Sequence, residues 1–258
     1  MFLLQKEKDF LEIEHLIWKK LLTDGHKPFI EISKIELSTI SDKEFFNKYR
    51  TNIRNSIPLG TIEFTETFFS RFHSIPQMQP IEIPHCLRTP EFLKRKYEIL
   101  RGEEVPKIGQ FFVKNIDRLK GFVFIGEIES LFNLKDTFSP DKIQPESLYQ
   151  ISEVVDIKSE YRIYILNGKI YGIAHYNGDP LVLPDIQLLQ KANLIYSMQK
   201  DYPKSYTMDI MVSDKGTAII EIHTFFSCGL YQTVLGSDFM LGYEDAKNYV
   251  LRHNTKIM

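Results

Sequence analysis

Two carboxylates and an imidazole recur at strand spacing near the C-terminal end of the chain. Tyr206 to Val212 and Thr217 to His223 are short runs of alternating, β-branched character around a Gly-containing turn at Ser213 to Gly216, the pattern of a β-hairpin. With the turn centred on Lys215, Asp209 lies across from Glu221 and Thr207 across from His223. Strand side chains alternate faces, so Thr207, Asp209, Glu221 and His223 share one face, while Met208, Ile210, Val212, Ala218, Ile220 and Ile222 take the other. Like charges directly opposite on a sheet repel, so the pair requires a cation or a shared proton. A divalent metal held at Asp209, Glu221 and His223 is the first chemistry this arrangement suggests.

A second hairpin precedes it. Glu160 to Leu166 and Lys169 to His175 flank Asn167-Gly168, and Asn-Gly between alternating runs requires positive φ at both turn residues. A regular two-residue loop pairs Leu166 with Lys169, Tyr164 with Tyr171, Arg162 with Ile173, and Glu160 with His175. Glu160, Arg162, Lys169 and His175 then project from one face, which is too polar for an ordinary core side. The bland reading of these residues is a partly exposed charge network worth at most about 1 kcal/mol.

The elements that must carry these residues read as alternating short strands and helices. Apolar residues at Phe10, Ile13, Ile17 and Leu21, widened by Leu11 and Trp18, fit one face of a helix. Lys27 to Ser33 and Lys34 to Leu37 look like short strand material. Ser41 to Glu44 is a capping box opening a helix that ends near Arg50. Thr61 to Phe64 reads as a strand running into a second helix through Phe72. Four X-Pro steps between His73 and Pro90 mark a seam, because each proline pushes its predecessor out of the helical region. Thr89-Pro90-Glu91 has the order of a helix start, predicting a helix through Leu100. Strands follow at Gln110 to Lys114, Lys120 to Ile125 and Leu148 to Val155. A helix from Pro184 to Tyr196 and another around Tyr243 to Arg252 complete the pattern, an α/β layering rather than a bundle.

The order of these motifs resembles the ATP-grasp superfamily, most closely a small clade of stand-alone bacterial and phage ATP-grasp proteins. The likeness runs from about Ile57 to Tyr249, through Ile57 to Phe64, Phe112 to Lys114, Ser152 to Val155, Ser159 to Arg162, Asn167 to Lys169, Met208 to Ile210 and Glu221 to Tyr231. It implies an α+β ATP-grasp fold holding a nucleotide between two antiparallel-rich sheets, with an N-terminal α/β domain at 1–90 and the nucleotide-binding and catalytic domain at 91–258. It implies that Lys114 meets the ATP phosphates or adenine, that Lys120 lies on a loop over the phosphates, and that Arg95 takes an early basic position. Glu153, Val154 and Val155 become a hinge whose main chain reads the adenine edge, and Glu160 binds ribose hydroxyls or helps hold a metal. Arg162, with Lys169, meets phosphate or the developing acyl phosphate. Asp209 and Glu221 match the magnesium carboxylates. His223 departs from the pattern, which places asparagine there; imidazole suits manganese or zinc better than magnesium. The implied activity is an ATP-dependent carboxylate–amine ligase working through an acyl phosphate. The alternatives are an ATP-grasp phosphotransferase, or a nucleotide-binding regulatory module weakened at His223.

The whole chain is compatible with this. At 258 residues and 43% hydrophobic it can bury a substantial core. With 32 basic against 34 acidic residues it carries no general positive field for nucleic acid. Two cysteines far apart, Cys86 and Cys228, suit a reducing cytoplasm, and Cys228 has no base assignable in sequence. No apolar run approaches the length of about 18 residues that a membrane span needs, and the N-terminus lacks a signal-peptide pattern. The expected partners are therefore ATP and unidentified carboxylate and amine substrates, a peptide or protein among the options. Oligomeric state is left open.

Overall fold

A computed structural model describes residues 1–6, 12–117, 119, 123–128, 143–227, 229–231 and 236–254. Three sheets organise these residues. The first is parallel, with β1 (Phe2–Gln5) between β2 (Phe29–Ile32) and β3 (Ile57–Leu59). Helices α1 (Glu12–Asp24), α2 (Lys34–Thr39), α3 (Asp42–Tyr49) and α4 (Ile62–His73) accompany it. Parallel pairing of strands this short is sustained by burial: Leu3, Leu4, Ile32 and Leu59 are all sealed from solvent. Full burial of such side chains is worth about 1.5–3 kcal/mol each.

The capping box at Ser41 forms as expected, with Ser41 Oγ accepting from Glu44 N and Glu44 accepting from Ser41 N, and Arg50 closes α3 in the left-handed region. Two expectations in this part are corrected. Lys34 to Leu37 is helix, because Ser33 accepts from Glu36 N and caps α2. Thr61 is likewise an N-cap of α4, and the strand lies earlier at β3. β1 has no counterpart among the elements expected from sequence.

After the proline-rich stretch, α5 spans only Pro90–Leu93 and ends on Lys94 at φ 51°. Residues expected to continue that helix form β4 (Tyr97–Arg101), because β7 (Leu148–Glu153) offers them an antiparallel partner. With β5 (Gln110–Asn115) and β6 (Val123–Glu127) they make a four-stranded sheet in the order β4-β7-β5-β6. Its own small core contains Val105, Val113, Ile128, Tyr149 and Ile151.

The largest sheet has the order β11-β10-β8-β9, all antiparallel. It consists of β8 (Ile157–Leu166), β9 (Lys169–Gly178), β10 (Tyr206–Ser213) and β11 (Gly216–His223). Asn167 at φ 48° and Gly168 at φ 73° form the expected turn of the first hairpin. One face, through Tyr161, Ile163, Met208, Ile210 and Ile222, packs with α5 and α6 (Ile186–Ser197) into a second core. The opposite face carries the polar residues.

Helix α7 (Leu241–Asn254) returns to the N-terminal layer. Tyr243, Ala246 and Val250 join Phe2, Leu22 and Phe68 in one continuous core. Trp18, the single tryptophan of the chain, is buried there and donates from Nε1 to Tyr243 Oη at 2.8 Å.

Candidate functional site: a cleft between two antiparallel sheets

Three neighbouring strands place charge in a row on the polar face of the large sheet. Arg162 on β8 is opposite Asp209 on β10, and Asp209 is opposite Glu221 on β11. His223 is opposite Thr207, two residues along the same face. The pairing expected for the carboxylates and the imidazole is therefore present.

The remainder of that hairpin differs from a regular register. A bulge between Asp209 and Ile210 pairs Ile210 with Ile219 and Met211 with Ala218. Ile219 thus joins the core, and Ile220 lines a pocket beside Met211. The expected placement of Ala218 and Ile220 on the core face is reversed by this one extra residue. Arg95 secures the bulge from outside, donating from Nη1 to Ile219 O at 2.7 Å and Leu93 O at 3.1 Å.

Charge balance is supplied by side chains. Arg162 and Asp209 are both buried and joined by two parallel bonds, Nε to Oδ1 at 2.8 Å and Nη2 to Oδ2 at 2.7 Å. Arg162 Nη1 also donates to Gly229 O at 2.9 Å, and its guanidinium lies 4.6 Å from the ring centre of Tyr231. Glu221 is met from the other sheet by Lys114 Nζ, which bonds to Oε2, and from its own strand by His223 Nε2, 2.8 Å from Oε1. Burial pushes the Glu221 carboxyl up, but His223 and Lys114 outweigh it and hold the group well below the usual carboxylate range.

The ligand atoms of Asp209, Glu221 and His223 lie within 4.8 Å of one another, the one such three-residue group among the described residues. Two hard carboxylates with an imidazole fit a divalent cation, and each carboxylate keeps lone pairs beyond those its cationic partners use. The donor set leans further toward first-row transition metals than an all-oxygen set does.

Beside this group the two sheets border a cleft of about 210 Å³, lined by Phe112 and Ile125 from one sheet and Met211, Ile220 and Glu160 from the other, with Glu153 to Val155 joining them. Gln150 belongs both to this cleft and to a neighbouring small hollow of about 40 Å³ lined by Lys114, Glu221 and His223. An apolar slot followed by a lysine and carboxylates suits a flat heterocycle joined to a polyanion. Glu153 also ties the junction to the β10–β11 turn, accepting from Lys215 Nζ at 2.7 Å.

Of the residues expected to form the site, Lys114, Arg162, Asp209, Glu221 and His223 come together, and Arg95, Glu153, Val154, Val155 and Glu160 line the adjoining cleft. Lys169 does not join them. It is exposed beside the turn, paired with Leu166, four residues along β8 from Arg162 and so roughly 13 Å away. His175 is also corrected: a register shift in the β8–β9 ladder between Tyr164 and Ile165 pairs it with Tyr161. Its ring packs 5.1 Å from Tyr161 on the face opposite the site. Lys120 and Cys228 lie outside the described residues. Sequence reasoning missed Gln150, Met211 and Ile220, whose types carry no chemical signal, and missed Tyr176 and Asn177 beside Glu160.

A family model described as an ATP-grasp domain, clade family 2, matches residues 92–236. That is more than half of the 258 residues, and the chain belongs to this ATP-grasp family. Solved structures with the same fold include D-alanine–D-alanine ligase from Bacillus anthracis complexed with ATP, at 13% identity and TM-score 0.51, covering 99% of this chain and 96% of that one. A RimK domain ATP-grasp protein from Sphaerobacter thermophilus DSM 20745 aligns at 12% identity and TM-score 0.52 over 97% of both chains. D-cycloserine synthetase DcsG aligns at 10% identity and TM-score 0.51, over 98% of this chain and 99% of that one. No protein of curated function matches the sequence. Among the described residues, no helix is long and apolar enough to cross a membrane.

Proposed function

We propose that the protein binds ATP in the cleft and uses it to ligate a carboxylic acid to an amine. The observation that carries this reading is the apolar slot at Met211 and Ile220 running on to Lys114, Arg162 and the Asp209, Glu221, His223 group. The order suits adenine, ribose and triphosphate in turn. Membership of the ATP-grasp family supports it, as do neighbours named as ligases and one described in complex with ATP.

In the proposed reaction an oxygen of the acid attacks the γ-phosphorus. The bond from that phosphorus to the bridging oxygen breaks, leaving ADP and an acyl phosphate. The amine nitrogen then attacks the acyl carbon, the bond to phosphate breaks, and the nitrogen gives up a proton as the amide forms. Lys114 lines the hollow beside the cleft as a point charge able to move from Glu221 to a phosphate oxygen. Arg162 is held rigidly by Asp209, so its charge sits fixed beside the carboxylate row and can offset phosphate charge without reorganisation. Asp209, Glu221 and His223 would hold a divalent cation, magnesium or manganese, which when bound neutralises phosphate charge.

The protein as purified should release ADP only when an acid and an amine are both supplied. Mass spectrometry of a co-purifying small molecule would choose the first pairs to try. ATP binding without ADP release across a broad set of acids and amines would sink the ligase assignment, and a stable phosphorylated acid formed without amine would replace it by a phosphotransferase.

A further inference from the structure

Glu14 on α1 comes up to the segment at Gly229, outside the residues that line the cleft and its neighbouring hollow. A Cβ placed on Gly229 would stand 3.7 Å from Glu14 Oε1, 3.9 Å from Arg162 Nη1 and 3.9 Å from the Tyr231 ring, and no other described residue comes closer. These are ordinary contact distances, and Gly229 has no positive φ, so neither crowding nor backbone calls for glycine there. The missing side chain leaves a methyl-sized space with a carboxylate on one side and a guanidinium on another. The layers that meet here are held together by Leu230, buried in the core that contains Trp18 and Leu21 of α1.

Charge decides what that space admits. Arg162 is compensated by Asp209 through two parallel bonds of 2.8 and 2.7 Å, and its Nη1 fixes Gly229 O at 2.9 Å. Tyr231 is clamped between Tyr176, with ring centroids 4.7 Å apart, and the Arg162 guanidinium, so it stands as a fixed wall. Glu14 is half-buried and has no hydrogen-bond or ion-pair partner among the described residues. Among these groups the unbalanced charge is therefore negative. A half-buried carboxylate without a counterion attracts a cation more strongly than one in open water, because its field is less screened.

We propose that Glu14 receives the ammonium group of the amine substrate over Gly229, beside Arg162, and that this substrate is a small alkylamine charged on arrival, such as the amino end of an amino acid amide or a peptide. The inference rests on the ligase reading given above. Saturation-transfer NMR at neutral pH tests it with two probes, glycinamide and glycolamide, in which a neutral hydroxyl replaces the ammonium. Wild-type protein should bind glycinamide about tenfold more tightly, the scale of one hydrogen bond to a charged group. Glu14→Gln should bring that preference close to one and leave ATP binding, followed by calorimetry, as it was. Gly229→Ala puts one methyl group into the space at permitted distances and should weaken glycinamide binding to a similar degree, again with ATP binding kept. It remains informative if Glu14→Gln fails to fold. Equal binding of the two probes by wild type, or a preference that survives Glu14→Gln, overturns the assignment. Protein that binds ATP but not glycinamide overturns the ammonium subsite and leaves the nucleotide reading standing. Protein that binds glycinamide but not ATP overturns the nucleotide reading and, with it, the role given to Glu14.

Discussion

Two ion pairs meet the carboxylate row of the large sheet and are built for opposite purposes. Arg162 and Asp209 belong to adjacent strands of one sheet, are almost wholly buried, and meet through two parallel bonds. Lys114 and Glu221 belong to different sheets, and their side chains keep 21% and 27% of their exposure. The first pair is expensive to disturb, because removing one partner strands the other charge away from water. The second is partly exposed, and Glu221 keeps His223 Nε2 at 2.8 Å when Lys114 moves away. A fixed cation and a movable one thus stand on either side of the same carboxylate row, which suits a site that must hold one group while admitting another.

Breaking the fixed pair should have the largest effect. Arg162→Met is expected to cost about 3–5 kcal/mol in urea unfolding, since Asp209 stays buried and charged. Adding Asp209→Leu should recover most of the stability while leaving ATP binding impaired. Another buried cation, Lys247, sharpens the contrast because it has no carboxylate partner among the described residues. Lys247 donates to Arg54 O at 2.6 Å, and burial pushes its ammonium down to about 8 from 10.5. The unfolded chain therefore binds more protons between those values, and stability should rise with pH across that window by up to about 3 kcal/mol. Subtracting the pH profile of Lys247→Met isolates that rise; a difference that stays flat from pH 8 to 10.5 contradicts it.

Opening the movable pair should cost far less. Lys114→Met is expected to change stability by about 1 kcal/mol or less, yet to weaken ATP binding clearly. The Glu221 carboxyl is held low in the folded protein, so its contribution is complete above its unfolded value of 4.5 and is lost as pH falls through the folded value. Glu221→Gln should remove that acid-side loss, as chemical unfolding at a series of acidic pH values would reveal. The smallest change is expected from His223→Asn, which should shift metal preference by a few-fold from manganese toward magnesium. Electron paramagnetic resonance of bound manganese would follow it, and an unchanged preference would mean His223 is not a ligand.

Much of this contrast is legible in sequence, and the exceptions share a cause. The facing of Asp209 and Glu221 follows from the spacing around one turn, and the Asn167-Gly168 turn announces the other hairpin. What cannot be read is where each ladder gains a residue. A bulge in a β-branched run such as Ala218 to Ile222 leaves no compositional trace, yet it decides that Ile220 faces the cleft. The bulge at Tyr171 likewise moves His175 to the other face. Tyr97 to Arg101 departs from expectation for a different reason, since β7 rather than local preference makes it a strand. The metal-type reading of the carboxylate pair is sharpened rather than replaced: the cations it requires include two side chains of the chain itself, Arg162 and Lys114.

The bond between Trp18 and Tyr243 has a practical consequence. The only indole of the chain lies in the core that joins helix α1 to α7, away from the residues lining the cleft. Its fluorescence therefore reports whether the two ends of the chain remain docked. Followed alongside a cleft-bound fluorescent nucleotide, it would distinguish loss of the binding surface from separation of the layer that closes the fold.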